Sequence, residues 1–136
     1  GRGVNSLVTL SGDKTEDMKK IKIIDSLDLI RDDIKASFEE NYINVVNSHE
    51  NKMLFIGAIN QYFKSLQSQG VLYDGADCKA YIDVESQREW LAQKYDVSGM
   101  TDSEIEVANT GSIIFAGADI TIQDCIEDLS FKIGLE

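Results

Sequence analysis

The sequence predicts an α+β domain: a small mixed or antiparallel sheet built from both chain ends, with two main helices and short helices packed on one face. Three observations carry this reading. Apolar residues recur every three or four positions through the middle of the chain, they alternate with period two over its last third, and 136 residues with 43% hydrophobic content suit one core. A single domain over 1–136 is expected.

Taken in order, Gly3-Val4-Asn5-Ser6-Leu7-Val8-Thr9-Leu10 is rich in apolar and β-branched residues and runs into Ser11-Gly12-Asp13-Lys14, a strand followed by a turn. Ile21 and Ile23 alternate with Lys20 and Lys22 as a short strand, which feeds a helix over Ser26 to Tyr42 with Leu27, Ile30, Ile34 and Phe38 on one face. After a polar joint from Asn44 to Glu50, a second helix carries Met53, Ile56, Ile59, Phe63 and Leu66. Leu54, Phe55, Ala58 and Tyr62 widen that face, and Gly70 stops it. This helix is apolar over more than half its circumference and should be the most buried element.

Asp74-Gly75-Ala76-Asp77 reads as a turn, and Asp83 as the N-cap of a short helix through Trp90, Leu91 and Tyr95. Thr101-Asp102-Ser103-Glu104 has the capping-box spacing, so another short helix starts there and ends near Asn109-Thr110-Gly111. Two strands close the chain. Ile114, Ala116, Ala118, Ile120 and Ile122 share one face, then Leu129, Phe131, Ile133 and Leu135 alternate with Ser130, Lys132, Gly134 and Glu136. Ile30, Ile34 and Phe38 are expected to form the core with Ile56, Ile59, Phe63 and Leu66.

The formal charge is −11, from 13 basic and 24 acidic residues, and it argues against binding to nucleic acid or to an anionic membrane surface. The longest uninterrupted apolar stretches, Met53–Ile56 and Ile113–Ala116, are far shorter than a membrane span, and no basic segment followed by an apolar one opens the chain, so a soluble protein without an export signal is expected. Two cysteines, Cys78 and Cys125, imply no disulfide framework and fit a reducing compartment as structural thiols. The charge is uneven: Thr101 to Glu136 holds eight acids and one base, Gly1 to Lys22 five bases and three acids. Ends of opposite sign either solvate unrelated faces, pair within the chain, or pair head to tail between copies.

No catalytic, cofactor or metal constellation assembles. His49-Glu50 lacks the second histidine of a zinc-protease helix, because Met53 stands in its place, and His49 reads as a loop residue. Asp74, Asp77 and Asp83 lack the ligand alternation of a calcium loop and suit turn and cap duties. The adjacent acids Asp32-Asp33, Glu39-Glu40 and Glu127-Asp128 point in different directions and are not a paired acid–base device. Glycines at Gly75 and Gly111 lack the companions of a phosphate loop. Neither an enzyme nor a bound cofactor is expected, although a small hydrolase is the rival from another class. The feature that asks for a role is the amphipathic strand Leu129 to Leu135, which finishes a sheet in its own subunit or in another.

Several segments in order also carry a resemblance: Arg2-Gly3-Val4-Asn5-Ser6-Leu7, the stretch from Ile21 to Tyr42 with Asn41-Tyr42-Ile43, and Asn51-Lys52-Met53-Leu54-Phe55. Ala58-Ile59-Asn60-Gln61-Tyr62-Phe63, Gly70-Val71-Leu72 and Ile82-Asp83-Val84-Glu85-Ser86-Gln87-Arg88 follow, then Asn109-Thr110-Gly111-Ser112 and Glu127-Asp128-Leu129. Together they resemble the C-terminal domain of contractile phage tail sheath proteins, of the type found in phages and defective prophages of Gram-positive bacteria. The joint Asn44-Val45-Val46-Asn47 departs from the family in lacking Gly and Pro.

The resemblance implies a fragment of a longer subunit with a structural, mechanical function. Such subunits stack as rings around a tail tube and contract to drive it through a cell envelope; this domain is the inner mesh, linked to its neighbours by exchanged strands. The implied partners are other copies of the sheath subunit, the tail tube protein and baseplate proteins. The implied location is the virion tail sheath, after assembly in the host cytoplasm. Leu129, Phe131, Ile133 and Leu135 are the implied subunit-interface residues, and a monomeric tail or baseplate adaptor that closes its sheet in cis is the alternative.

Overall fold

The computed structural model describes residues 12–42, 48–124 and 126–136. Four helices and three strands follow in the order α1 (Gly12–Asn41), α2 (His49–Ser68), β1 (Lys79–Ile82), α3 (Val84–Ala92), α4 (Asp102–Glu106), β2 (Ile114–Ile122) and β3 (Glu127–Leu135). The sheet is antiparallel throughout in the order β1-β2-β3. The α+β class is therefore as expected.

Helix α1 starts well before Ser26, and the short strand expected at Ile21 and Ile23 is instead two of its turns. The physical reason lies in the row that Ile23 joins: Ile23, Leu27, Ile30, Ile34 and Phe38 follow at helical spacings, and no proline or glycine interrupts them after Gly12. Ile30, Ile34 and Phe38 are buried, whereas Met18, Ile21 and Ile24 lie on the other side of the helix and stay exposed. The strand expected over Gly3 to Leu10 lies outside the described residues, as does most of the joint from Asn44 to Glu50.

Helix α2 begins one residue earlier than a loop reading of His49 allows. Ser48 caps it by accepting the Asn51 amide at 3.2 Å, and His49 is its first helical residue. The far end closes as a Schellman motif: Val71 N–H donates to the Leu66 carbonyl at 2.9 Å and Gly70 N–H to that of Gln67 at 3.2 Å. Gly70 takes a φ of +80° there, which only glycine adopts without strain.

One face of the sheet packs on α1 and α2. Ile114, Ala116, Ala118, Ile120 and Ile122 of β2 meet Phe55, Ile56, Ile59, Phe63 and Leu66 of α2 and Ile30, Ile34 and Phe38 of α1 in one buried cluster, the core expected from the sequence. The opposite face is open and polar at one end and touched by α3 at the other, where Trp90 tilts against Phe115 at 6.4 Å between ring centroids. On this face Tyr81 lies over Gly117, where a Cβ would approach its ring to 2.5 Å, so the residue opposite Tyr81 has to be glycine.

A second, smaller cluster joins Leu91 of α3, Ile105 of α4 and Val97 of the segment between them. Asp83 caps α3 through the Ser86 amide, and Thr101 and Glu104 complete the capping box of α4, both as read from the sequence. The two clusters are joined through Lys52, which is fully buried on α2, and Gln87, which is fully buried on α3.

Candidate functional site: the two edges of the sheet

A sheet of three strands has two edges, and each exposes backbone donors and acceptors to any strand that approaches. Here the two are built differently. At β1 the Ala80 N–H points away from β2 and donates to Asn60 Oδ1 of α2 at 2.7 Å. Helix α2 packs along this four-residue strand, so the β1 edge is short and sealed.

Strand β3 is nine residues long and pairs with β2 from Glu127↔Ile122 to Leu135↔Ile114. The alternation of an antiparallel ladder decides which of its backbone groups are used. On β2, Phe115 and Thr121 turn their carbonyls toward the β1 side, where they accept from Asp83 and Tyr73. The even-numbered residues of β2 therefore bond β3 through Leu129, Phe131, Ile133 and Leu135. The backbone groups of Asp128, Ser130, Lys132 and Gly134 point to the outer edge, where among the described residues no strand is paired.

The side chains follow the opposite bookkeeping. Leu129, Phe131, Ile133 and Leu135 all face the helices: Phe131 and Leu135 are buried, at 6% and 2% exposure, while Leu129 and Ile133 are half-buried against the same cluster. The Arg31 guanidinium of α1 lies 5.4 Å from the centre of the Phe131 ring. On the other face Ser130 donates to Asp119 at 2.7 Å, and Lys132 pairs with Glu85 at 3.0 Å and with Asp83 at 3.9 Å. Tyr81 also donates to Asp119, and burial first and that carboxylate second raise its phenol pKa. An open groove between α3 and β3 is lined by Trp90, Phe115, Glu89, Lys132 and Gly134.

The turn before β3 carries strain. Ile126 has a φ of +47°, and a β-branched side chain in the left-handed region crowds its own carbonyl. Near this turn Lys22 of α1 pairs with Asp124 at 2.7 Å. Both partners are more than half exposed, so this ion pair contributes at most about 1 kcal/mol.

Other candidate residues do different work from any site. Asp74 and Asp77 are exposed in a turn, and Asp83 is spent on its cap and on Lys132. Among the described residues no group of three His, Cys, Asp or Glu side chains converges to hold a metal, and no helix is long and apolar enough to cross a membrane. Cys78 is half-buried, with its sulfur 3.4 Å from the Thr121 amide nitrogen; Cys125 lies outside the described residues. Sequence reasoning missed β1 and its seal at Asn60. The alternation in Lys79-Ala80-Tyr81-Ile82 just before the Asp83 cap was the available signal for the strand, but nothing local distinguishes Asn60 from any other helical asparagine.

Comparison with known proteins bears on the same region. The profile of the phage tail sheath C-terminal domain family matches residues 13–134. The tail sheath protein of Clostridium phage phiCD119 is 39% identical over 134 residues, which cover 97% of this chain and 37% of that relative. The chain thus spans little more than a third of the length of the curated relative it matches.

Proposed function

Because this chain belongs to the phage tail sheath C-terminal domain family, a structural family of phage tails and not one of enzymes, we propose that it is the mesh-forming domain of a contractile sheath subunit. In this reading it assembles with other copies around a tail tube, meets baseplate proteins at the end of the array, and resides in the virion tail. The host cytoplasm is where it assembles. Contraction of the array drives the tube through a cell envelope.

The observation that carries the proposal is the unequal treatment of the two sheet edges. A sealed β1 and a nine-residue β3 whose outer ladder is free among the described residues make the sheet extensible in one direction only. Leu129, Phe131, Ile133 and Leu135 form the subunit interface: the strand that presents them either accepts a neighbour's strand on its outer side or itself crosses to a neighbour. Backbone pairing survives rigid-body rotation of the subunits it links, which suits an array that changes its pitch. The strained Ile126 sits where a crossing strand would leave its own sheet, and leaving relieves that φ.

One observation favours a second reading. In the isolated chain β3 is fully paired with β2, and Phe131 and Leu135 complete the core, as in a monomeric tail or baseplate adaptor that closes its sheet in cis. Ser130→Pro in the full-length subunit separates the two, because it removes an outward N–H and none of the backbone bonds to β2, giving up only the hydroxyl bond to Asp119. The sheath reading expects long striated cylinders of wild-type protein in negative stain, and a variant that stays folded by thermal melting without forming them. Cylinders from both proteins would overturn the use of this edge, and cylinders from neither would favour the adaptor.

A further inference from the structure

Among the described residues the amine of Lys52 is buried with no anion beside it. Lys52 has no solvent exposure, and its Nζ donates to Gln87 Oε1 at 3.2 Å and to the Ala108 carbonyl at 3.2 Å. Gln87 in turn donates through Nε2 to the Ile105 carbonyl at 2.8 Å and to that of Glu106 at 3.4 Å. This chain of bonds runs from the first turn of α2 through α3 to the end of α4. It crosses between the main core and the small cluster of Leu91, Val97 and Ile105, which share no buried residue.

Among the described residues the titratable side chains on the elements around it do not reach it, Glu89 of α3 facing the groove beside β3 instead. On α3, Asp83 and Glu85 pair with Lys132, and Arg88 pairs with Asp102 of α4 at 2.7 Å. On α4, Glu104 closes the capping box and Glu106 offers Gln87 its backbone carbonyl. On α2, Glu50 is exposed, and the Nδ1 of His49 is buried without a partner. Among the described residues no carboxylate pairs with Lys52, so its two acceptors are both neutral.

A neutral amine has two N–H groups for those two acceptors, whereas an ammonium adds a third N–H and a whole charge that nothing nearby compensates. We propose that Lys52 is a proton-sensitive bolt, holding the α3–α4 lobe tightly to the amino-terminal end of α2 when neutral and loosely when charged. The direction follows from burial, which pushes the Lys52 pKa down from 10.5 to about 8. Opening the lobe wets the amine and restores its ordinary affinity for a proton. Between about pH 8 and 10.5 the open state therefore binds a proton that the closed state does not, and closure gains as pH rises through that window. The bolt acts whether or not the edge of β3 receives a strand.

Native-state hydrogen exchange of the α3 and α4 amides, corrected for the intrinsic effect of pH, reads this directly. Wild-type protection in the lobe should rise about tenfold from pH 7 to pH 9, while amides of α2 beyond its first turns and of β2 change little. In Lys52→Met, which keeps the packing and removes the proton, lobe protection should not respond to pH. Equal pH responses in the two proteins would overturn the proposal. Should the variant fail to fold, NMR titration of the Lys52 Nζ in the wild type decides: a midpoint near 8 supports the bolt, and one in the ordinary lysine range overturns it.

Discussion

The two edges of the sheet differ in what covers their backbone. At β1, four residues lie against α2 and the Ala80 amide is answered by the Asn60 side chain; at β3, nine residues leave every second peptide group facing outward. An amide that the fold satisfies has nothing to offer a neighbour, and one left to water exchanges its partner for another strand at little penalty. The difference teaches that the two edges of one small sheet can be finished unequally, one answered by a helix side chain and the other left, among the described residues, with outward peptide groups beside Asp128 and Lys132.

The comparison breaks most visibly if β3 is removed. Deleting residues 127–136 takes away Leu129, Phe131, Ile133 and Leu135, at roughly 1.5 to 3 kcal/mol per buried side chain, against a total stability of about 5 to 15 kcal/mol for an ordinary domain. The truncated chain should lose its cooperative melting transition. A synthetic peptide of residues 127–136 should restore it, because the groove that the strand leaves is formed by β2 and the helices; failure of the peptide to rescue would mean that the strand cannot be supplied from outside.

Phe63→Ala tests the floor beneath both edges. Phe63 is fully buried in the main cluster, and its truncation should destabilise the domain by about 3 to 5 kcal/mol in chemical denaturation. A loss under about 1 kcal/mol would show that α2 presents a different face to the sheet.

Asn60→Ala converts the sealed edge toward the open one. Leaving the Ala80 amide unanswered should remove roughly 1 to 3 kcal/mol of stability and raise concentration-dependent self-association, measured by sedimentation. Stability lost without new association would confine the role of Asn60 to the monomer. Ile126→Gly should act in the other sense. Relieving its positive φ should raise stability by about 1 kcal/mol, with the gain offset in part by the added freedom of the unfolded chain, and should shift β3 toward its own sheet.

Much of this fold is legible in the chain because it is local. The Asp83 cap, the Thr101 and Glu104 capping box, the stop at Gly70 and the period-two runs of β2 and β3 each depend on residues a few positions apart. The amino-terminal half of α1 departs from the strand pattern of its sequence for a related reason. Four residues of Lys-Ile alternation satisfy a strand pattern, yet Ile23 also stands in the helical row of Leu27, Ile30 and Ile34, and over so short a window the two periods are indistinguishable.

Sequence alone determined the α+β class, the buried row Ile56, Ile59, Phe63 and Leu66 of α2, the buried face of β2 and the alternating strand Leu129 to Leu135, since each follows from periodicity and capping between near neighbours. By contrast Met53 and Leu54, expected on the buried face of α2, are exposed, and β2 rather than α2 is the more fully buried element. Only the tertiary structure decided that Asn60 closes one edge of the sheet, that the outer ladder of β3 is unpaired among the described residues, and that Lys52 is buried against neutral acceptors. These depend on partners 20, 35 and 56 residues away, and which carbonyl or amide a side chain meets across such distances is set by how the packed elements are placed, not by the order of the residues around it.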